Sequence, residues 1–243
     1  MQQRNETVMP DYQEIYQDPR HAEAYHRLVS REDHAGHIGA EIRRHGDWSQ
    51  AQALDVGCGT GRVSLIVEPL VAQLTACDRA SAMLAVARRY LRPQTRVTTA
   101  DNRSLPFADA SFDLVTAGWS FGHATEWVPG AWQTDVRQAV DHMLRVLRPG
   151  GVALIFETLG SGVTEPAPPT AALADCYALF EQEYGFVRTP IRTDYRFVSQ
   201  AECAELTGFF FGVTLTGVEQ ADGSVILPEW TGAWHYRKPA STL

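Results

Sequence analysis

One segment constrains this chain more than any other: Ala53-Leu54-Asp55-Val56 followed by Gly57-Cys58-Gly59-Thr60-Gly61-Arg62. The first four residues read as a buried strand. Three glycines at alternate positions then lead into Arg62 to Val71, which reads as a helix. Glycine accepts left-handed backbone and carries no Cβ, so such a loop turns tightly and lets a ligand approach the main chain. The helix N-terminus behind it carries partial positive charge. The spacing is GxGxG. Arg62 stands where a dinucleotide loop places its third glycine, which argues against an NAD-dependent oxidoreductase.

From residue 51 onward short apolar runs alternate with longer helical ones. Strands are predicted at Leu74 to Cys77, Arg96 to Thr99, Phe112 to Ala117 and Val152 to Glu157. Helices are predicted at Ser81 to Leu91 and Asp135 to Leu147, the second stopped by Arg148-Pro149-Gly150-Gly151. This alternation specifies an α/β chain with a doubly wound, mostly parallel sheet. Before it, residues 1–48 read as an amphipathic helical cap, with Tyr12, Ile15 and Tyr16 and then Tyr25, Leu28 and Val29 at helical spacing and a break at Asp18-Pro19. After it, residues 160–208 read as a substrate-side insertion: a loop, a helix over Ala171 to Tyr184, and a second helix over Ser199 to Thr207 opened by a capping box. Residues 209–238 read as terminal strands. Phe209 to Val218 is strand-like, Gly223 offers a turn, and Ser224 to Leu227 with Ala233 to Arg237 forms the return of an antiparallel hairpin. The expected organisation is one domain, with the cofactor-binding core at 51–159.

Two carboxylates add to the loop. Asp78 ends the second strand, where an acidic side chain can accept both hydroxyls of a ribose, and Asp101 follows the third, within reach of an adenine amino group. Leu54 to Gly61, then ACDRASAML (76–84), ADNRSLPFADASFDLV (100–115) and RVLRPGG (145–151) resemble, in order, the motifs of class I S-adenosylmethionine-dependent methyltransferases. The resemblance is nearest to the branch of quinone-biosynthesis and small-molecule enzymes. It implies a Rossmann-like seven-stranded sheet and S-adenosylmethionine as cofactor, with S-adenosylhomocysteine as product. It further implies that Asp55, Gly57, Cys58, Gly59, Thr60 and Gly61 border the methionine part. Asp78 would hold the ribose, Arg79 and Met83 would flank the adenine, and Asp101 with Asn102 would contact its edge. Trp119 and Ser120 would line the site near the methyl group, and Tyr16 would close over the cofactor.

At the acceptor end, a methyl group on a sulfonium is already activated, so the protein chiefly supplies proximity and alignment. A base is required only for a protonated nucleophile. His123, just after the fourth strand, is the best-placed candidate by its ordinary pKa. Tyr195, within Arg192-Thr193-Asp194-Tyr195-Arg196 of the insertion, is a second catalytic candidate, and Glu157 at the end of the fifth strand points to the same crevice.

Composition narrows the class. A formal net charge of −8 disfavours a nucleic-acid partner. There is no apolar run of bilayer length and no signal-peptide pattern, which leaves the cytoplasm as the expected place. Four cysteines without metal spacing read as reduced structural thiols, so no metal is expected. A small-molecule acceptor with an oxygen, nitrogen or carbon nucleophile is the leading expectation. An RNA or protein methyltransferase, or a non-catalytic S-adenosylmethionine-binding protein, is the alternative. The sequence leaves the oligomeric state open.

Overall fold

The computed structural model describes residues 16–240. Tyr12 and Ile15, expected in the first helix, lie outside that range. Along the chain the strands are β1 (Gln52–Val56), β2 (Gln73–Asp78), β3 (Arg96–Thr99), β4 (Phe112–Gly118), β5 (Leu147–Ser161), β6 (Val187–Arg192), β7 (Tyr195–Phe197), β8 (Val218–Glu219), β9 (Val225–Leu227) and β10 (Glu229–Arg237). Seven of them form one sheet in the order β3-β2-β1-β4-β5-β10-β6. The pairings from β3 through β5 are parallel, while β10 runs antiparallel to both β5 and β6. The doubly wound sheet with a terminal antiparallel strand is the expected architecture. A small antiparallel sheet, β7-β9-β8, stands beside it.

The helices are α1 (Pro19–Val29), α2 (His37–Arg44), α3 (Arg62–Val67), α4 (Ser81–Tyr90), α5 (Ala124–Trp127), α6 (Trp132–Val146), α7 (Ala171–Gln182) and α8 (Gln200–Phe211). The period-2 alternation of the strands sorts their side chains to two faces. Leu54, Val56, Val115, Ala117, Ala153, Ile155 and Trp234 meet α6 and α7 through Val140, Met143, Tyr177 and Phe180. Ala53, Leu114, Val152, Leu154, Phe156 and Ala233 face α2 and α3 through Ile38, Ile42, Val63 and Val67. Both faces are covered, as a parallel sheet requires.

Local signals account for several boundaries. Asp18-Pro19, expected as a break, opens α1: the Asp18 carboxylate accepts from the Arg20 N–H at 2.8 Å, and proline occupies the first turn, where its missing N–H costs nothing. Helix α3 stops at Val67, short of the expected Val71: Glu68 keeps helical backbone at φ −56° and ψ −34°, but Pro69 has no N–H to continue the hydrogen-bond ladder.

Two expectations are corrected. Phe209 to Val218 is not a strand. Helix α8 continues through Phe211 and is terminated by Gly212 at φ +68°, leaving only Val218–Glu219 extended. An apolar run of this length fits either element, and tertiary contact decides it. Phe209 packs on His21 and Phe210 on Tyr25, which docks the end of α8 against α1. The hairpin partner of β10 is β6, from the segment read as insertion, whereas Val225–Leu227 pairs in the small sheet. The N-cap of α8 is Ser199, as expected, but the reciprocal bond of the capping box moves by one residue. Ser199 Oγ accepts from Glu202 N–H as expected, but the Glu202 carboxylate accepts from Val198 N–H.

Candidate active site

The carboxyl ends of the parallel strands converge on a cavity of about 540 Å³, within the size range of small-molecule and cofactor sites. The glycine loop forms one wall. Gly57, Gly59 and Gly61 have φ of +65°, +54° and +96°, a conformation that side chains resist. A Cβ on Gly57 would collide with the Ser120 hydroxyl, so the backbone there presses directly against the turn after β4. The Asp78 carboxylate spans the end of β2, accepting from Gly59 N–H at 2.9 Å and Ala80 N–H at 2.8 Å. Asp55 is fully buried behind the loop. It accepts from Ser64 Oγ at 2.5 Å and Thr116 Oγ1 at 2.8 Å, and burial pushes its pKa up to about 6.

Of the residues singled out in the sequence, Tyr16, Asp55, Gly57, Cys58, Gly59, Asp78, Arg79, Asn102, Trp119, Ser120 and His123 line this cavity. Five do not. Thr60 and Gly61 turn away behind the loop; Thr60 is buried, and a Cβ on Gly61 would face Leu91. Met83 is core, packed with Ala22, Tyr25 and Val29. Asp101 is engaged by Arg103, which binds it through Nε, Nη2 and the backbone N–H, and of the two neighbours it is Asn102 that reaches the cavity. Asn102 Nδ2 in turn donates to Ser120 Oγ at 3.4 Å. Tyr195 is buried against Phe197 and borders Glu32 and Arg62, one layer behind the cavity. The Arg192 to Arg196 run is largely ion-paired, Arg192 to Asp194 and Arg196 to Asp222.

An aromatic group closes the opposite side. Tyr16 Oη lies 3.0 Å from His123 Nε2, and His123 stacks on Trp127 at 5.0 Å. Burial, helped by the nearby Arg62 cation, drives the His123 pKa down to about 4, so the imidazole is neutral near pH 7.

Sequence reasoning missed Arg62 as a lining residue. Its guanidinium lies 3.7 Å over the Trp119 ring and pairs with buried Glu32 at 2.7 Å. Glu32 and Glu229, both buried, face this same cluster from α1's C-terminal side and from the start of β10. No local motif marks either glutamate. Tyr25 and Trp127 also line the cavity. Glu157 is the other finding. Its Oε1 accepts from the backbone N–H groups of Phe121 and Gly122, both at 2.9 Å, and does not project into the cavity.

A sheet of this order, with a glycine loop after β1 and an acidic residue ending β2, is the Rossmann-like arrangement expected from the sequence. Residues 54–155 match the family described as Methyltransferase domain. Over 121 residues it is 40% identical to a malonyl-[acyl-carrier protein] O-methyltransferase of Pseudescherichia vulneris, covering 50% of this chain and 44% of that protein. Over 106 residues it is 38% identical to a demethylmenaquinone methyltransferase of Clavibacter sepedonicus, covering 43% and 40%. The chain thus spans less than half the length of these relatives. The crystal structure of the YcgJ protein from Bacillus subtilis superposes with a TM-score of 0.56 at 18% identity, covering 86% of this chain and all of that one. That likeness is one of fold.

Proposed function

We propose that this protein transfers a methyl group from S-adenosylmethionine to a small-molecule acceptor. The observation that carries the reading is the convergence of two left-handed glycines, Gly57 and Gly59, with Asp78, Asn102 and Ser120 on one cavity. The lining fits an adenosyl group: Gly57 and Gly59 leave bare backbone at the wall, and Asp78 faces it with an acceptor-only carboxylate. Asp78 would hold the ribose hydroxyls, Asn102 the adenine edge, and Gly57 to Gly59 with Asp55 the methionine end. When bound, S-adenosylmethionine supplies a methyl group on a positively charged sulfur, ready for in-line displacement.

The chain's own contribution is positioning and exclusion of water. Trp119 and Ser120 hold the wall nearest the acceptor, and Tyr16, His123 and Trp127 close the other side. At neutral pH His123 is an uncharged imidazole with one N–H, and with its pKa pushed down to about 4 it is a weak base; its Nε2, 3.0 Å from Tyr16 Oη, serves to orient an acceptor hydroxyl or amine by a hydrogen bond and not to take its proton. The small-molecule assignment is supported by the net charge of −8 and by an aromatic rather than basic cavity mouth.

Titration calorimetry tests the cofactor half. Binding of S-adenosylhomocysteine without binding of NADH is expected, and the reverse overturns the reading. Methylation of a small-molecule panel with labelled cofactor tests the other half.

A further inference from the structure

The turn after β4 supplies Trp119, Ser120 and His123 to the cavity wall, yet its conformation is unfavourable by itself. Trp119 has φ +48°, a left-handed backbone that a bulky residue resists. Such strain persists only where neighbouring structure over-determines it. Two contacts do so here. Trp119 N–H donates to Phe156 O at 2.6 Å, tying the turn to β5. The next residue of β5, Glu157, places a single carboxylate oxygen at 2.9 Å from both Phe121 N–H and Gly122 N–H. The fit is close. A Cβ on Gly122 would come within 2.8 Å of Glu157 Oε2 and 3.0 Å of Leu173 Cδ2, so glycine alone suits that position. The carboxylate is buried and makes no ion pair among the described residues. A buried charge of this kind is costly unless several donors converge on it.

We infer that Glu157 is a positioning residue of the methyltransferase site, holding the Trp119 to His123 turn so that Ser120 meets Gly57 and His123 meets Tyr16. This rests on the reading of the cavity as a cofactor site. Glu157 touches neither cofactor nor acceptor; it acts through the backbone of Phe121 and Gly122.

The same geometry makes the wall sensitive to pH. Burial pushes the Glu157 pKa up to about 7, against the pull of its backbone donors and of Arg62. The groups that face it from neighbouring elements are Arg62 on α3 and Cys176 and Tyr177 on α7. Neither the thiol nor the phenol titrates near neutrality, because burial raises both. Above about pH 7 the ionised carboxylate accepts stronger hydrogen bonds from Phe121 and Gly122 than the neutral acid, so the turn is held more tightly as pH rises, although burying that charge lowers the stability of the whole fold. Burial also raises Asp55, up to about 6, Asp78, and, beyond Arg62, Glu229, up to about 8; the Glu157→Gln variant separates their contribution from that of Glu157.

The test measures S-adenosylhomocysteine affinity by calorimetry between about pH 6.5 and about pH 8.5, together with peptide-level hydrogen exchange over residues 119–125. Wild-type affinity is expected to rise several-fold across the window. Glu157→Gln keeps an oxygen acceptor but cannot ionise, so it is expected to bind without that pH dependence. Glu157→Leu removes the acceptor, and is expected to weaken binding about tenfold throughout and to speed exchange of the turn. If Glu157→Gln keeps the wild-type pH dependence, or if Glu157→Leu folds with unchanged affinity and exchange, the assignment fails while the cofactor reading stands. If Glu157→Leu does not fold, Glu157→Gln alone decides the assignment. If the wild type does not bind S-adenosylhomocysteine at any pH, both fail.

Discussion

At the scale of single residues the site divides by how its side chains reach the cavity. Asp78 reaches it by ending a strand, and Gly57 by being the first residue of the loop; both positions follow from local spacing. Asp78→Ala is expected to weaken S-adenosylhomocysteine binding by about 1–3 kcal/mol, the loss of a buried charged acceptor. An unchanged dissociation constant would remove the ribose role. Gly57→Ala meets both a φ of +65° and the Ser120 hydroxyl. It is expected to lower affinity more than about tenfold, and Ser120→Gly in the same chain should recover only part of it, because the backbone strain remains. Calorimetry on the single and double variants reads this directly. Arg62 and Glu157 were not legible as they stand. Arg62 was visible only as the residue that breaks a dinucleotide pattern, and Glu157 only as a carboxylate aimed at the crevice. The partners that define them, Trp119 and Glu32 for one and two backbone amides for the other, are 25 or more positions away. Asp101 shows the reverse. Its position fits the family motif, and a neighbour two residues on, Arg103, takes its carboxylate.

At the scale of elements, the chain's core strands were legible because alternation and flanking glycine or proline agree with burial on both faces. Boundaries followed where a cap or breaker is local, as at Asp18-Pro19 and Ser199. Ser199→Ala is expected to cost about 1 kcal/mol, the usual worth of a lost N-cap, and to lower the thermal midpoint by a few degrees in calorimetry. Glu202 adds a tie that no local rule contains. Besides accepting from Val198 N–H, it pairs with Arg31 at 2.7 Å, linking α8 to the segment after α1. The misread elements were those whose identity is settled by what they pack against. Phe209 to Phe211 has the apolar density of a strand, and α1 provides the surface that keeps it helical. Strand β6 carries Pro190 and exposed polar residues and lies at the sheet edge, which is where a proline-bearing strand is tolerated.

At the scale of the whole molecule, buried ionisable groups set a pH dependence opposite to ordinary acid denaturation over part of the range. Glu157 and Glu229 have folded pKa values raised above 4.5 by burial, Glu229 further by its neighbour Glu32. A raised carboxyl binds its proton more tightly in the folded state, so its stabilising contribution falls as pH rises through the folded value. His26, His123 and His235 are lowered below 6.5 by burial, so they destabilise the fold only as pH falls below about that value. Between about pH 6.5 and pH 8 these glutamates, with the other buried carboxyls raised in the same direction (Glu32, Asp55 and Asp78), outweigh the histidines, and the thermal midpoint is expected to decline with rising pH across that window. Glu229→Gln should reduce the decline. A midpoint that stays flat there would show that the carboxyls are already ionised in the folded state.

The sequence by itself determined the layered sheet, the glycine loop and the acidic end of β2, because each is written in contiguous residues whose periodicity, chirality and spacing act locally. Tertiary structure decided which strand completes the hairpin, that Asn102 rather than Asp101 faces the cavity, that Glu32 pairs with the Arg62 that lines it, and that Glu157 accepts from the turn after β4. Those outcomes depend on competition for partners: a carboxylate goes to whichever donor the fold brings nearest, and an apolar run takes the form of the surface that buries it.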